Sequence, residues 1–221
     1  MFKEIFELLK SDSLYDQALT ECHEMLEIVR EMFNESVKTL RNSDTADIPI
    51  DIYAMDKKIN EFERDVRRKV MTHLAIGGKD DIGSGLILVS VVIDIERIGD
   101  YTKNIYDLAV QHPKKLSAGS LEETLSDMEK STKEFLNKAI DAFKTQDIAA
   151  ARILMTDYKK DISSISNEIV NSVVSGKNDE FSSERASALC LYARYLKRIA
   201  AHSRNLVSSI VNPFERIGYP E

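Results

Sequence analysis

Leu86-Ile87-Leu88-Val89-Ser90-Val91-Val92-Ile93-Asp94-Ile95-Glu96-Arg97-Ile98-Gly99-Asp100-Tyr101-Thr102-Lys103-Asn104-Ile105 is an apolar run that passes without a break into a charged one. Leu88, Val91, Ile95, Ile98, Thr102, Ile105 and Ala109 recur at three- and four-residue steps, the signature of a buried helical seam. Glu96, Asp100 and Asn104 follow at steps of four, so they stack on one flank of that seam. Two carboxylates one turn apart repel each other unless a metal cation or an arginine neutralises them.

Upstream, cap-type residues from Ser11 to Ser13 open a long helix in which Leu19, Cys22, Met25, Val29, Phe33, Val37 and Leu40 keep helical spacing. After Asn42 to Thr45, Pro49 stands where a first-turn proline is tolerated, with Asp47 as the expected N-cap. The second helix has Ile52, Met55, Ile59, Phe62, Val66 and Val70 as its seam, and the glycine-rich loop 77–85 releases into the third. Pro113 and Ser117 to Ser120 close that helix. Downstream the plan recurs, with a helix over 121–143, a single helix over 148–174 and a last one from Leu189 to Ile210.

The chain is therefore an internal duplication. A shift of 101 carries residues 88, 91, 95, 98 and 105 onto Leu189, Tyr192, Leu196, Ile199 and Leu206, Arg97 onto Arg198 and Asn104 onto Asn205. The expected fold is all-α: a six-helix bundle of two tandem three-helix repeats, with a lead-in over 1–13, repeat 1 over 14–115 and repeat 2 over 116–221.

Composition agrees with that class. A chain of 221 residues with 43% hydrophobic and 30% charged residues, 8 Gly, 4 Pro and no Trp reads as helix-rich. A net charge of -7 argues against a nucleic-acid partner, and the basic run Arg64 to Lys69 reads as a solvated helix face. Cys22 and Cys190 have neither zinc-knuckle nor redox spacing and are expected to be reduced. The first ten residues are too charged for a signal peptide. No run approaches the roughly 18 apolar residues of a membrane span. The simplest expectation is a cytoplasmic protein without a transmembrane segment.

On the second helix Asp56, Asn60 and Glu63 flank their seam as Glu96 and Asp100 flank theirs. Antiparallel neighbours that share a seam bring like flanks together. That gathers Asp56, Asn60, Glu96 and Asp100, an oxygen-only donor set suited to magnesium, manganese, calcium or iron. A salt-bridged surface is the alternative, because Lys57, Lys58, Arg64, Arg97 and Lys103 can neutralise the same acids.

Glu96-Arg97-Ile98-Gly99-Asp100 with Asn104-Ile105, together with Asp56-Lys57-Lys58-Ile59-Asn60, resembles the PhoU family over nearly the whole chain. The resemblance implies a non-catalytic cytoplasmic regulator of phosphate uptake and signalling, peripheral to the inner membrane through its partner. That partner would be a phosphate transporter or its ATPase, or a phosphate-sensing histidine kinase; a homo-oligomer stays open. It also implies a metal ion, with iron, zinc, manganese and magnesium all open, on Asp56, Asn60, Glu96 and Asp100. Glu63, Arg97 and Asn104 stand beside these as supporting groups or extra ligands.

Repeat 2 departs from the pattern. The shift of 101 puts Lys197 at the position of Glu96 and Ala201 at that of Asp100, and neither can ligate a cation. For the preceding helix a shift of 103 aligns the seams and puts Lys159 and Ser163 at the ligand positions; a shift of 101 would offer Asp157 and Asp161 but turn the seam outward. On either shift the second site has lost its third-helix carboxylates and is degenerate, Lys197 can pair with Asp161 in place of an ion, and one metal site at most is expected. His202, in place of Tyr101, reads as a rim histidine, and Glu215 to Gly218 as a packing tail. No Glu-x-x-His pair of a di-metal enzyme and no phosphate-cradling P-loop is present.

Overall fold

Ser13 opens the first long helix: its hydroxyl accepts from the Asp16 amide at 3.1 Å while Asp16 Oδ2 accepts from the Ser13 amide at 3.1 Å. This reciprocal cap satisfies donors that a helix start leaves free. In the computed structural model, which describes residues 13–76, 79–112, 114–158, 162–176 and 180–220, α1 then runs Leu14–Asn42. The other helices are α2 Ile52–Ile76, α3 Ile82–Gln111, α4 Glu122–Thr145, α5 Ile148–Tyr158, α6 Ser164–Val174 and α7 Ser183–Val211. No strand occurs among the described residues. The predicted lead-in before Ser13, Gly77, Gly78 and Pro113 lie outside them.

One expectation changes. The second helix begins at Ile52, and Asp51, not Asp47, caps it: the Ala54 amide donates to Asp51 Oδ1 at 3.0 Å. Pro49 lies outside the helix, because a capping side chain must sit within reach of the first-turn amides it serves. Of the predicted helix over 148–174 the structure describes α5 and α6, with π-type turns at Ile162 and Ser163 leading into α6; residues 159–161 lie outside the described residues. The Tyr158 side chain, placed on that seam by the sequence, lies outside the described residues.

The duplication is visible in the core. Shifting by 103 carries the buried α1 residues Cys22, Met25, Met32, Phe33 and Leu40 onto Leu125, Met128, Phe135, Leu136 and Phe143, all buried. The same shift takes Ile59 and Val66 of α2 to Ile162 and Ile169, both buried, so the core phase selects 103 over 101 for this helix. In α3 the shift of 101 carries Leu88, Val91, Ile95, Ile98 and Ile105 onto Leu189, Tyr192, Leu196, Ile199 and Leu206, again all buried. Each buried Leu or Ile contributes about 2 kcal/mol of transfer free energy, so the seams carry the stability of both repeats.

Within repeat 1, α1, α2 and α3 pack on one another; within repeat 2, α4 and the α5–α6 pair pack on α7. The two repeats share one core, joined chiefly where α3 meets α7. Asp94 reaches His202 and Asn205 while Tyr101 meets Tyr195 and Arg198, so these two helices run antiparallel. At the other contact between repeats, Arg41 at the end of α1 donates to the Leu116 carbonyl and Glu122, and its Nε lies 2.6 Å from Glu129 Oε1.

Gly99 explains the glycine of the charged motif. A Cβ there would meet Ile59 Cδ1 at 2.9 Å, so the missing side chain lets α2 and α3 approach closely. Ala200 stands buried at the matching position of repeat 2. Gly99→Ala is expected to cost only about 1 kcal/mol, since the obstructing atom is the tip of a flexible side chain, whereas Gly99→Leu should cost 2–3 times as much. Urea unfolding of the two variants checks the ratio.

Cys22 is buried and Cys190 partly so, and neither is bridged to the other. The basic run is a solvated face as expected, with Arg67 paired to Glu63 and Arg68 to Asp65. The tail also packs as expected: Asn212 Nδ2 donates to the carbonyls of Arg216 and Tyr219, and the Gly218 amide donates to Ser208 Oγ at 2.7 Å.

Candidate metal and regulatory site

Because α2 and α3 share the Ile59–Gly99 contact, their polar flanks meet on one side of the bundle. Lys103 Nζ lies 2.9 Å from Asp56 Oδ2 and 3.2 Å from Asp100 Oδ1, bridging the two helices. Asn60 Nδ2 donates to the Asp56 carbonyl at 3.0 Å and lies 3.4 Å from Asp56 Oδ2. Arg97 sits 3.0 Å from Asp100 Oδ2 and 3.5 Å from Glu96 Oε2, and Arg67 Nη2 sits 3.1 Å from Glu63 Oε1. Lys103 thus joins Asp56 to Asp100, with Asn60 beside Asp56 and Glu96 beside Asp100, while Glu63 turns to Arg67. Asn104, one turn beyond Asp100, is half-buried and has no side-chain hydrogen bond among the described residues.

Four carboxyls face three cations, and Glu96 carries the strain. Burial pushes its carboxyl up to about 7; Asp100 adds to the rise, Arg97 opposes it, and Glu63 and a shared hydrogen bond with Asp100 raise it further. Glu96 therefore keeps its proton in the folded protein through a range where the unfolded chain, with an ordinary carboxyl near 4.5, has lost it. The sign follows: stability is highest below the ordinary value and falls as pH rises towards 7. In chelator-treated protein, Glu96→Gln should abolish that fall, raising stability at pH 8 by about 1–2 kcal/mol after allowing for solvent screening, and leaving it unchanged at pH 4. Thermal melts at the two pH values measure the difference.

The donor set fits a hard cation chemically, being all oxygen with excess negative charge. As the helices stand, Lys103 fills the space between Asp56 and Asp100, and among the described residues no three His, Cys, Asp or Glu side chains are arranged as a ready metal cage. An ion seated there would take over the neutralising role that Lys103 and Arg97 fill in its absence.

The matching flank of repeat 2 has the opposite charge. Lys197 Nζ donates to Asn167 Oδ1 at 2.9 Å, with Arg194 and Arg198 beside it. Ser163 and Ala201 are half-buried; Lys159 and Asp161, the latter the expected partner of Lys197, lie outside the described residues.

Sequence reasoning missed the role of Asp94. Its carboxylate is buried at the α3–α7 seam and accepts from His202 Nδ1 at 2.7 Å and Asn205 Nδ2 at 2.8 Å. His202 is accordingly not a rim residue: its side chain is 14% exposed and lies stacked on Tyr101. The available signal was an acid on the apolar side of the helix, one residue before a seam position, where an isolated charge is costly unless partnered.

Comparison with known proteins agrees with this architecture. The model of the PhoU domain matches residues 22–109 and 125–210, beginning 103 residues apart and ending 101 apart, the offsets that the buried seams show. These matches span more than half of the chain, and the chain belongs to the PhoU family. It is 25% identical over 215 residues to the phosphate-specific transport system accessory protein PhoU homolog 1 of Thermotoga maritima, covering 95% of this chain and 87% of that protein. In fold it resembles PhoU from Pseudomonas aeruginosa, with a TM-score of 0.79 at 20% identity over 90% of this chain and 95% of that one. The phosphate transport system regulatory protein PhoU from Streptococcus pneumoniae gives a TM-score of 0.70 at 17% identity, covering 88% and 92%.

Proposed function

We propose that this protein is a non-catalytic cytoplasmic regulator of phosphate uptake or phosphate signalling whose repeat 1 binds one metal ion. Family membership and the name of the Thermotoga maritima relative support the regulatory part. On this reading the protein acts through a phosphate transporter, its ATPase or a phosphate-sensing histidine kinase. No helix among the described residues is long and apolar enough to cross a membrane, so contact with a transporter would be peripheral.

One observation carries the metal reading: the carboxyls of Glu96 and Asp100 stand together on the flank of α3, and burial first, then Asp100, pushes that of Glu96 up to about 7. A cation held there would offset the repulsion between Glu96 and Asp100. Asp56, Asn60, Glu96 and Asp100 would hold the ion, iron, zinc, manganese or magnesium, with Glu63, Arg97 and Asn104 beside them. When bound, the ion supplies a fixed positive charge linking α2 to α3; no bond-making step is assigned to it. A metal-free scaffold is the second reading, and the Lys103 bridge between Asp56 and Asp100 favours it.

Metal analysis by mass spectrometry on protein purified without a histidine tag separates the two. We expect about one equivalent of metal, absent after Glu96→Ala with Asp100→Ala; metal content unchanged by that double substitution rejects the site. The regulatory part fails if deleting the gene leaves phosphate uptake and phosphate-responsive transcription unaltered.

A further inference from the structure

Where repeat 1 carries carboxylates, the matching flank of repeat 2 carries cations, and three of them have no acid among the described residues. Arg194, Lys197 and Arg198 occupy positions i, i+3 and i+4 of α7, where like charges repel. Lys197 finds only the neutral amide oxygen of Asn167, at 2.9 Å. Burial, then Arg194 and Arg198, push its ammonium below the usual lysine range. Arg198 Nε donates to the Tyr101 hydroxyl at 3.1 Å and its guanidinium lies over that ring at 5.6 Å, which fixes the side chain and leaves its terminal nitrogens open. Among the described residues, none of the three cations is paired with a carboxylate. The contrast with repeat 1 is direct, since Arg67, Arg97 and Lys103 there are all held by acids.

We infer that this flank of α7 binds a small multiply charged oxyanion, the class of inorganic phosphate and its monoesters, through Arg194, Lys197 and Arg198 with the Asn167 amide beside them. The donor count selects the class. Two guanidinium forks, an ammonium and an amide NH2 outnumber the acceptors of one carboxylate, whereas a tetrahedral dianion offers an oxygen to each. A cation is excluded, since none of these groups has a lone pair free to ligate apart from the Asn167 oxygen already engaged by Lys197. A nucleic-acid backbone fits poorly against a chain of net charge -7.

The test uses chelator-treated full-length protein, so that no anion is carried by a bound metal. Calorimetric titration with inorganic phosphate at about 0.15 M ionic strength is expected to give saturable one-site binding. Sulfate should compete. Lys197→Gln and Arg194→Ala should each weaken binding about tenfold or more, with circular dichroism and melting temperature unchanged. Glu96→Gln with Asp100→Asn should bind as the unsubstituted protein does, which separates this site from the metal site of repeat 1. Absence of saturable phosphate binding by folded protein overturns the proposal. So does phosphate binding that survives Lys197→Gln and Arg194→Ala together, or association only with anionic phosphatidylglycerol vesicles.

Discussion

Replacing Arg41 by alanine is expected to destabilise the fold by about 3–5 kcal/mol, the cost of leaving one member of a buried ion pair alone. The Arg41 side chain is 10% exposed and Glu129 is 16% exposed, so solvent cannot replace what is lost. Burial pushes the Glu129 carboxyl up, and Arg41 is the main group opposing that rise. Tyr192, fully buried, lies against the same carboxylate, so the deletion strands a charge beside the core of repeat 2. The Leu116 carbonyl and Glu122 lose their donor at the same time. For a chain of this size the melting temperature should fall by roughly 10 °C. Adding Glu129→Gln to Arg41→Ala should recover part of the loss, because removing both charges is far cheaper than removing one. A single substitution costing under about 1 kcal/mol would mean that solvent screens the pair after all.

Asp94→Ala is expected to cost about 2–3 kcal/mol, measured by urea unfolding, since it leaves two partly buried donors without an acceptor. The donors are His202 Nδ1–H and the Asn205 amide, both facing Asp94 Oδ1 across the α3–α7 seam. Asp94→Asn should cost less, because an amide oxygen still accepts one of these bonds. The control is Asp127→Ala, on an exposed position of α4, expected to change stability by under about 0.5 kcal/mol. If Asp94→Ala behaves like that control, the polar contact is not part of what joins the repeats.

The contrast between these two sites and the acidic flank shows where sequence reasoning succeeds. Seams were legible because burial repeats with helical period: Leu88 to Ile105 and Leu189 to Leu206 were read as buried and are buried. The acidic flank followed from the seam, since Asp56, Glu96 and Asp100 stand at fixed offsets from residues that must face inward. Arg41–Glu129 and Asp94–His202 were not legible, because each joins residues on helices of different repeats, and nothing in local periodicity says which helices meet. Ala151, Leu154, Ile162 and Ile169 are all buried, so the apolar pattern gives no sign of the π-type turns at Ile162 and Ser163.

The seam between α3 and α7 has a consequence for how the two halves recognise each other. Under the shift of 101, Asp94 corresponds to Tyr195, Tyr101 to His202 and Asn104 to Asn205. One end of the seam therefore holds an acid against an imidazole and an amide, while the related end sets Tyr195 against Tyr101. The partners are complementary but no longer interchangeable. A repeat 1 pairing with its own copy through α3 would set Asp94 against Tyr101 and Asn104 at both ends, with no imidazole and no tyrosine pair. Divergence after duplication has thus left one seam with two chemically different ends, so the helices that form it can no longer trade places.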